Sequence, residues 1–405
     1  MDSEFPYRRV IRHIIMRIAH ICTRFNRLSE TFVYDLIAGL ERVGTENHVL
    51  TSKRVNVMER PFPRVRVVPV PLWCMAAFVI RKYCLNIYRF PLPWQATRKA
   101  LAAISPDVIL AHFGSAGAAI APVAFEMRIP LVVVFHAFDL FTRPFGPATY
   151  KELWASGAKA VTVCEHSKRR LLELGCPAKG VQTIHCGVDI SRFSPAEDWP
   201  TREKGLRLVA IGRFVEKKGF DDLILAVGTL RSRRAQPIRL DIWGDGPLKG
   251  RLECLAQRLG LSTTVFFKGI VASRDVPRLL RQYDAFVSPS RTARNGDSEG
   301  IPVTILEAQA AGLPVVATRH AGIPEGIPRE NHYLLAREGD ARDLADKLEL
   351  LCAQRTRWRE IGLCGREWVL KNFTLEGELA EYLQLFAQIT SSSTPLASPT
   401  IGGGT

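Results

Sequence analysis

The sequence lacks the short motifs of several large enzyme classes. It has no D-x-D pair, which would hold a divalent cation on a diphosphate. Neither a Walker G-x-x-x-x-G-K-[ST] loop nor a G-x-G-x-x-G run after a predicted strand occurs, so ATPase and dehydrogenase classes are excluded. Its nine cysteines include no C-x-x-C pair, so neither a zinc cluster nor a disulfide framework is predicted. We therefore expect no metal, no cofactor and a reducing cytoplasm.

Long apolar runs are also missing. No stretch approaches the ~20 apolar residues that a membrane-spanning helix needs. The longest apolar run, at 131–138, fits a buried parallel strand. Near the amino terminus Arg12, His13 and Arg17 interrupt any apolar stretch, which argues against a cleavable signal peptide. The sequence predicts a cytoplasmic protein that is at most peripheral on the inner face of the plasma membrane.

Acidic residues are outnumbered, and the net charge is +15. Nucleic acid is one partner for such a charge, but no basic block with interleaved aromatics and no nucleic-acid-binding motif is present. An anionic membrane surface is the better candidate. Residues 70–94 mix aromatic residues with Arg81, Lys82 and Arg89, which suits a membrane interface. The same pattern also fits a segment packed on its own domain with its cationic heads in water.

Short apolar runs alternate with amphipathic stretches along most of the chain. One series of predicted strands lies between residues 17 and 184, and a second lies between 206 and 317. Strand–helix–strand repetition predicts parallel sheets with right-handed crossovers, so the fold class is α/β. Periodicity is lost around 194–205, where proline and charge accumulate. We predict two Rossmann-like domains that meet in this segment.

Two glutamates, Glu299 and Glu307, flank a predicted helix start near Ile301. The first N–H groups of a helix have no intrahelical partner and lie at the positive end of its dipole, so a phosphate is stabilised there. Pro302 suits the first turn, where its missing N–H costs nothing. We expect Glu299 to accept from hydroxyls of a group attached to the phosphate, and Glu307 to accept from a ribose.

Arg213 and Lys218 provide matching positive charge, the first as a planar fork and the second as a point charge. Arg213, Asp245 and Glu299 each follow a different predicted strand of the second domain, and ligands of open α/β sheets bind beyond those strand ends. Together these residues predict a nucleoside-diphosphate site. The alternative is a solvated basic pair and two surface carboxylates on a capped helix.

Several motifs carry a family resemblance. The runs GRFVEKKGF, WGDGPL and EGIPVTILEAQAAGLPVVAT, followed by HAGIPE, resemble the donor site of glycosyltransferase family 4, retaining enzymes of the GT-B fold. The runs RLSETFV, AHFG and VVVFHAFD are most similar to the branch that builds colanic-acid-like and amylovoran-like exopolysaccharides. The resemblance covers roughly residues 16–385 and implies two domains facing across a cleft.

The resemblance also implies roles for particular residues. The implied catalytic residues are His136, Arg213, Lys218 and Glu299, with His136 contacting the donor sugar or its phosphate. The implied donor-binding residues are Gly300, Ile301, Val303, Glu307, Val271 and Asp245. Of these, Asp245 also fits simple turn chemistry before a helix.

The loss of periodicity near 194–205, the composition of the tail and the family resemblance together predict how the chain is divided. An acceptor-side domain is expected at 1–198 and a nucleotide-sugar-binding domain at 199–375. A helix at 376–390 is expected to cross back to the first domain, and the small, polar tail at 391–405 is expected to be disordered.

The function expected is transfer of a hexose, with retention and without a metal, from a nucleoside-diphosphate sugar to a growing, lipid-linked saccharide in polysaccharide assembly. Two alternatives remain. One is a related transferase with a soluble acceptor, such as a sugar phosphate. The other is a catalytically silent nucleotide-sugar-binding partner of another transferase.

Overall fold

A computed structural model describes residues 15–27, 29–72, 74–75, 79–80, 91–142, 146–195 and 205–391. Two parallel sheets, each covered by helices, divide these residues into two α/β halves. Arg81, Lys82 and Arg89, which the sequence places at a membrane interface, lie outside the described residues, as does the predicted tail from residue 392 onward.

The first sheet has seven parallel strands in the order β3-β2-β1-β4-β5-β6-β7. Its strands are β1 Arg17–Phe25, β2 Glu46–Arg54, β3 Val65–Val67, β4 Val108–His112, β5 Leu131–Phe135, β6 Lys159–Thr162 and β7 Val181–Thr183. Its helices are α1 Thr31–Arg42, α2 Trp94–Ile104, α3 Gly114–Glu126, α4 Ala137–Phe141, α5 Pro147–Ala155 and α6 Glu165–Glu173. Every residue of the central strands β4 and β5 is buried, as expected for strands covered on both faces.

The second sheet has six parallel strands in the order β10-β9-β8-β11-β12-β13. Its strands are β8 Leu206–Ile211, β9 Ile238–Trp243, β10 Val265–Gly269, β11 Ala285–Ser288, β12 Val315–Thr318 and β13 Leu335–Ala336. The helices that follow are α7 Phe220–Arg233, α8 Lys249–Arg258, α9 Val276–Leu280, α10 Val303–Ala310, α11 Ala341–Ala353, α12 Trp358–Asn372 and α13 Leu375–Ser391. In both sheets the strand order reverses beside the first strand, where a crevice opens for ligands.

The segment that leads out of the first half of the molecule meets the segment that returns to it at Val188, a place called the backbone crossing below. The Val188 N–H donates to the Phe373 carbonyl at 2.8 Å, and the Leu375 N–H donates to the Val188 carbonyl at 3.0 Å. A Cβ at Gly187 would lie 2.5 Å from the Thr374 carbonyl oxygen, so only glycine allows the two backbones to approach this closely. The outgoing and returning segments are thereby held side by side.

The final helix, α13, belongs by its packing to the first half of the molecule. Its buried residues form one hydrophobic cluster with strands and helix α1 of the first sheet. These are Leu375, Leu379, Tyr382, Leu385, Phe386 and Ile389, packed with Ile18, Leu36, Leu40, Val108, Val132 and Val161. Ser391, expected from the sequence to open the tail, is the last residue of this helix.

The structure differs from the sequence prediction in the role of one proline, in several helices and in one strand. The helix after Glu299 spans Val303–Ala310, close to its predicted position, but Pro302 is its N-cap residue, because an extended ψ of 120° at the proline keeps it outside the first turn. Helices α2, α4, α5 and α9 and the two-residue strand β13 were not predicted. Three of those helices have nine residues or fewer, which is too short for a periodic pattern to be recognised.

Within the described residues no helix combines the length and the apolar composition needed to cross a membrane.

Replacing Phe386 with Ala should lower the free energy of unfolding by about 3–5 kcal/mol, because a fully buried ring at the α13 interface would leave a cavity. Gln384→Ala, on the exposed side of the same helix, is the matched control and should change stability by less than about 0.5 kcal/mol. Chemical denaturation followed by tryptophan fluorescence measures both. Equal stability of the two variants would contradict the packing role of α13.

Candidate active site

The loops that follow β8 and β9 form the floor of the candidate site. The Phe214 N–H donates to the Asp245 carbonyl at 2.9 Å, and the Gly212 N–H donates to the Trp243 carbonyl at 2.9 Å. Gly244 has φ 140°, and a Cβ there would lie 1.9 Å from the Gly212 carbonyl oxygen. The glycine therefore lets the two loops lie against each other at the carboxyl edge of the sheet.

Asp245, expected from the sequence to bind the donor, lies in this floor with an exposed side chain. Its carboxylate accepts from the N–H of Gly246 at 2.7 Å. The structure therefore shows the carboxylate engaged in its own turn, and its donor-binding role stays a prediction.

Lys218 and Glu299 form an ion pair in which Lys218 Nζ lies 2.9 Å from Glu299 Oε1. The Glu299 side chain is buried, which by itself would raise the pKa of the carboxyl. The charges of Lys218 and Lys217 outweigh that effect and lower the pKa to about 2. Glu299 is therefore an ionised hydrogen-bond acceptor at any physiological pH, and the structure brings these two predicted catalytic residues into contact.

The neighbouring Lys217 has a different task. Its Nζ lies 3.0 Å from Asp297 Oδ1 and donates to the Ser298 carbonyl at 3.0 Å. It is buried and holds the loop that leads to Glu299. Of the two adjacent lysines, Lys217 thus secures the loop, while Lys218 contacts the carboxylate.

The backbone of Glu299 is held from behind by residues to which the sequence analysis assigned no role. The Glu299 N–H donates to His320 Nε2 at 3.2 Å, and His320 Nδ1 lies 2.8 Å from Glu338 Oε2. His320 stands in the quoted HAGIPE run, but a lone histidine after a strand carries no signal for this contact. Glu338 follows the two-residue strand β13, which no pattern revealed.

Glu307 lies in the middle of α10 and is buried, unlike most glutamates of ordinary helices. Burial raises the pKa of its carboxyl to about 7. The positive charges of Arg192 and Arg60 lower that pKa, and the negative charge of Asp35 raises it. Because Asp35 and Arg60 belong to the first half of the chain, Glu307 lies where the two halves face each other.

His136 is the residue between β5 and α4, at the carboxyl end of a central strand. Its ring lies between Phe32 and Phe113, with centroid distances of 4.6 and 4.7 Å. Burial lowers the pKa of the imidazole to about 3, so the ring is neutral. Among the described residues, the buried Nε2 atom has no hydrogen-bond partner.

A buried carboxyl lies beside this histidine. Asp139 Oδ2 accepts from the Gly114 N–H at 2.8 Å and from the His136 N–H at 3.4 Å. Burial raises the pKa of Asp139 to about 7, although these two hydrogen bonds lower it. Asp139 therefore ties the ends of β4 and β5 together, a contact that the sequence analysis did not predict.

Contacts between the two halves bring the first sheet's loops to the second sheet's rim. Glu325 Oε2 accepts from the Glu165 N–H at 2.8 Å, and its Oε1 accepts from the His166 N–H at 3.0 Å, so a carboxylate of the second half caps α6. Burial raises the pKa of Glu30, and the charges of Arg27 and Arg213 lower it. Arg213, which is exposed, thus lies within electrostatic reach of the loop after β1.

The remaining predicted residues lie on the same rim. Ile301, Val303 and Val271 are half-buried and pack against the core of the second half. A Cβ at Gly300 would lie 2.9 Å from Val163 Cγ2 of the first half, so this glycine stands at the interface. The binding roles assigned to these four residues stay predictions. Across the described ranges, no cluster of three or more His, Cys, Asp or Glu side chains is arranged to hold a metal ion.

Two family models match the chain. Residues 29–192 match the model described as glycosyltransferase family 4, and residues 194–367 match the model described as glycosyl transferases group 1. The boundary between the two matches falls beside the backbone crossing at Val188.

Curated relatives with similar sequences are also glycosyltransferases by name. The chain is 32% identical over 279 residues to the amylovoran biosynthesis glycosyltransferase AmsK of Erwinia amylovora, covering 67% of each chain. It is 35% identical over 252 residues to WcaL of Escherichia coli (strain K12), a glycosyltransferase named for colanic acid biosynthesis, covering 60% of each. The match thus spans less than two thirds of WcaL's length.

Solved structures share the fold. HepE of Anabaena in complex with UDP superposes with a TM-score of 0.74 at 19% identity, covering 93% of this chain and 100% of that chain. Sucrose-phosphate synthase of Thermosynechococcus elongatus gives 0.73 at 19% identity, covering 93% and 100%. The molecule therefore has the GT-B architecture, two Rossmann-like domains that face each other across a cleft. With the family-model and sequence matches, the chain belongs to the glycosyltransferases of family 4.

The pKa of Glu307 predicts a pH-dependent stability. The folded-state pKa is raised from 4.5 to about 7, so the folded protein binds this proton more tightly than the unfolded chain. The contribution of Glu307 is then complete below about pH 4.5 and is lost as the pH rises through 7. Glu307→Gln removes this loss, so from pH 5 to 8 the variant should gain up to about 3 kcal/mol of stability relative to the wild type.

Denaturant midpoints of both proteins across that pH range measure this difference. Glu253→Gln, at an exposed position of α8, is the matched control and should follow the wild type at every pH. A stability difference between Glu307→Gln and the wild type that stays constant from pH 5 to 8 would show that Glu307 is ionised throughout.

Proposed function

We propose that the chain is a retaining, metal-independent hexosyltransferase. It moves a hexose from a nucleoside-diphosphate sugar to a growing, lipid-linked saccharide in exopolysaccharide biosynthesis at the inner face of the plasma membrane. The observation that carries this proposal is the ion pair between Lys218 and the buried Glu299, which lies on the same rim as Arg213 and the start of α10. This rim combines groups that bind phosphate with a carboxylate that binds hydroxyls.

The chemistry requires stabilisation of a leaving diphosphate. The bond from the sugar C1 to the diphosphate oxygen breaks, and its electron pair stays on the diphosphate. The acceptor hydroxyl oxygen bonds to C1 on the same face, and its proton leaves with the diphosphate. Arg213 and Lys218 neutralise the growing charge, assisted by the positive end of α10, and such stabilisation lowers a barrier by several kcal/mol in a cleft that excludes water.

The carboxylates orient the donor. Glu299 is ionised and can accept hydrogen bonds from two sugar hydroxyls while Lys218 holds it. Glu307 lies in the middle of α10 and is assigned to the ribose. His136, neutral and with an unpaired Nε2, is assigned to a donor sugar hydroxyl from the opposite side of the cleft. The donor sugar is then held between residues of the second domain and His136 of the first domain.

The named relatives support this class of donor and pathway. AmsK and WcaL are named for the biosynthesis of amylovoran and colanic acid, both as glycosyltransferases. HepE was solved with UDP and glucose, and a relative 34% identical over 240 residues is named a GDP-mannose-dependent mannosyltransferase acting on a phosphatidylinositol mannoside. A nucleotide occurs in the last two of these names and titles, and a lipid acceptor occurs in one of them.

The direct test is a thermal-shift screen of nucleotide sugars, followed by transfer assays with the donor that stabilises the protein most. A ligand at 100 times its Kd stabilises the folded state by about 2.7 kcal/mol. The proposal expects a shift with a nucleoside-diphosphate hexose and slow donor hydrolysis by the protein alone. Stabilisation by no nucleotide sugar would overturn it, and binding without hydrolysis or transfer would favour a silent partner.

Arg213→Ala and Lys218→Ala should each reduce turnover at least about a hundredfold, the scale seen when one transition-state donor is removed. Arg251→Ala, at an exposed position of α8, is the matched control and should keep full activity. Activity should survive EDTA, because these cations are proposed to take the place of a metal. Loss of turnover on chelation, restored by magnesium, would refute the metal-independent mechanism.

A membrane-bound acceptor implies that the protein binds a lipid surface at least transiently. Replacing Arg81, Lys82 and Arg89 with Ser should weaken binding to phosphatidylglycerol vesicles by about 3 kcal/mol at most, since each cation near the surface contributes about 1 kcal/mol. Wild-type binding should also weaken as salt rises, because the Debye length is about 8 Å at physiological ionic strength. Co-sedimentation measures both effects.

The matched control replaces Lys249, Arg251 and Arg258 of α8, which lowers the net charge equally on the other domain. Donor affinity should be unchanged in the 81/82/89 variant. A wild-type protein that stays in the supernatant at low salt would indicate a soluble acceptor instead.

A further inference from the structure

A chain of three hydrogen bonds lies behind Glu299. The Glu299 N–H donates to His320 Nε2 at 3.2 Å. His320 Nδ1 lies 2.8 Å from Glu338 Oε2, and the Thr292 N–H donates to Glu338 Oε1 at 2.6 Å. His320 is only 2% exposed, so the ring is shielded from competing water.

The partners of His320 determine the role of each ring nitrogen. A backbone N–H can only donate, so Nε2 accepts from the Glu299 N–H through its lone pair. Nδ1–H then donates to Glu338, whose other oxygen is occupied by Thr292. The ring is therefore held in a single arrangement, with one nitrogen accepting and the other donating.

The chain connects loops from three neighbouring strands. Thr292 and Glu299 belong to the loop between β11 and α10, His320 follows the end of β12, and Glu338 follows the end of β13. Lys218 holds the carboxylate of the same glutamate from the opposite side. The backbone and the side chain of Glu299 are thus fixed by two independent sets of contacts.

We propose that His320 and Glu338 are positioning residues that hold Glu299 where it recognises the sugar of the donor. The proposal rests on the function proposed above. Neither residue touches the donor: the ring acts through the Glu299 backbone, and Glu338 acts through the ring. Since a displacement of about 1 Å at a binding group can reduce a rate about a hundredfold, loss of the chain should impair recognition of the sugar.

The affinity difference between a nucleotide sugar and its nucleoside diphosphate isolates this role. Glu299 is assigned to the sugar, whereas Arg213 and Lys218 are assigned to the diphosphate. A displaced Glu299 should weaken binding of the nucleotide sugar and leave binding of the nucleoside diphosphate unchanged. General damage to the domain would weaken both ligands together.

Two substitutions at one position separate the two hydrogen bonds of the ring. In His320→Gln the side-chain amide oxygen can reach the Nε2 position and accept from the Glu299 N–H. In His320→Asn the shorter amide reaches only the Nδ1 position, so it can donate to Glu338 but leaves the Glu299 N–H unpaired. Glu338→Ala removes the acceptor that fixes the tautomer.

The experiment measures Kd by calorimetry for the nucleotide sugar that most stabilises the wild type and for its nucleoside diphosphate. His320→Asn and Glu338→Ala should lose about tenfold in nucleotide-sugar affinity and keep nucleoside-diphosphate affinity within about twofold. His320→Gln should keep both affinities near wild type. Thermal midpoints show whether each variant is folded. If His320→Asn fails to fold, Glu338→Ala alone tests the positioning role.

Three outcomes would overturn the positioning role: wild-type discrimination in His320→Asn and Glu338→Ala, an equal loss for both ligands, or a loss in His320→Gln as large as in His320→Asn. Only the positioning role is refuted if the wild type binds nucleotide sugars and the variants show the same affinity difference between nucleotide sugar and nucleoside diphosphate as the wild type. A wild type that binds no nucleotide sugar refutes the proposed function, and the positioning role with it.

Discussion

The site is built around one buried negative charge, that of Glu299. A carboxylate removed from water costs several kcal/mol unless cations and hydrogen bonds compensate. Lys218 and Lys217 supply the positive charge, and Lys217 also contacts Asp297 in the loop that leads to Glu299. The floor of the site at Gly212 and the rim of the second sheet carry the residues that compensate this charge. A ligand that brings hydroxyls to Glu299 and phosphate to Lys218 replaces part of this compensation.

Other buried carboxyls of the molecule have pKa values that are shifted in the opposite direction. Burial raises the pKa of Glu307 and Asp139 to about 7 and that of Glu378 to about 8. Glu378 accepts from the Gly187 N–H at 2.8 Å beside the backbone crossing. At these three carboxyls burial outweighs the nearby charges and hydrogen bonds, whereas at Glu299 the charges of Lys218 and Lys217 outweigh burial.

Much of the architecture could be predicted because parallel α/β folds impose a strong pattern. Strands β5, β8 and β9 occur within the predicted bounds, since continuous apolar runs have no other stable environment in such a sheet. The prediction was wrong about Pro302, which was expected in the first turn of α10 and is its N-cap residue instead, because its backbone is extended. Strand β13 was missed because two residues carry no periodicity. Since Glu338 follows this strand, its position in the site could not be predicted either.

The sequence by itself determined the order of the motifs, the class of chemistry they carry and the rim on which they fall, because each motif follows a strand and strand ends share an edge. Tertiary structure decided which side chains meet. Lys218 contacts Glu299, while Lys217 contacts the loop before it. Glu307 is buried at the domain boundary, and His320 lies behind the site. These outcomes depend on distances between segments that are far apart in the chain and on the local dielectric, neither of which a linear pattern encodes.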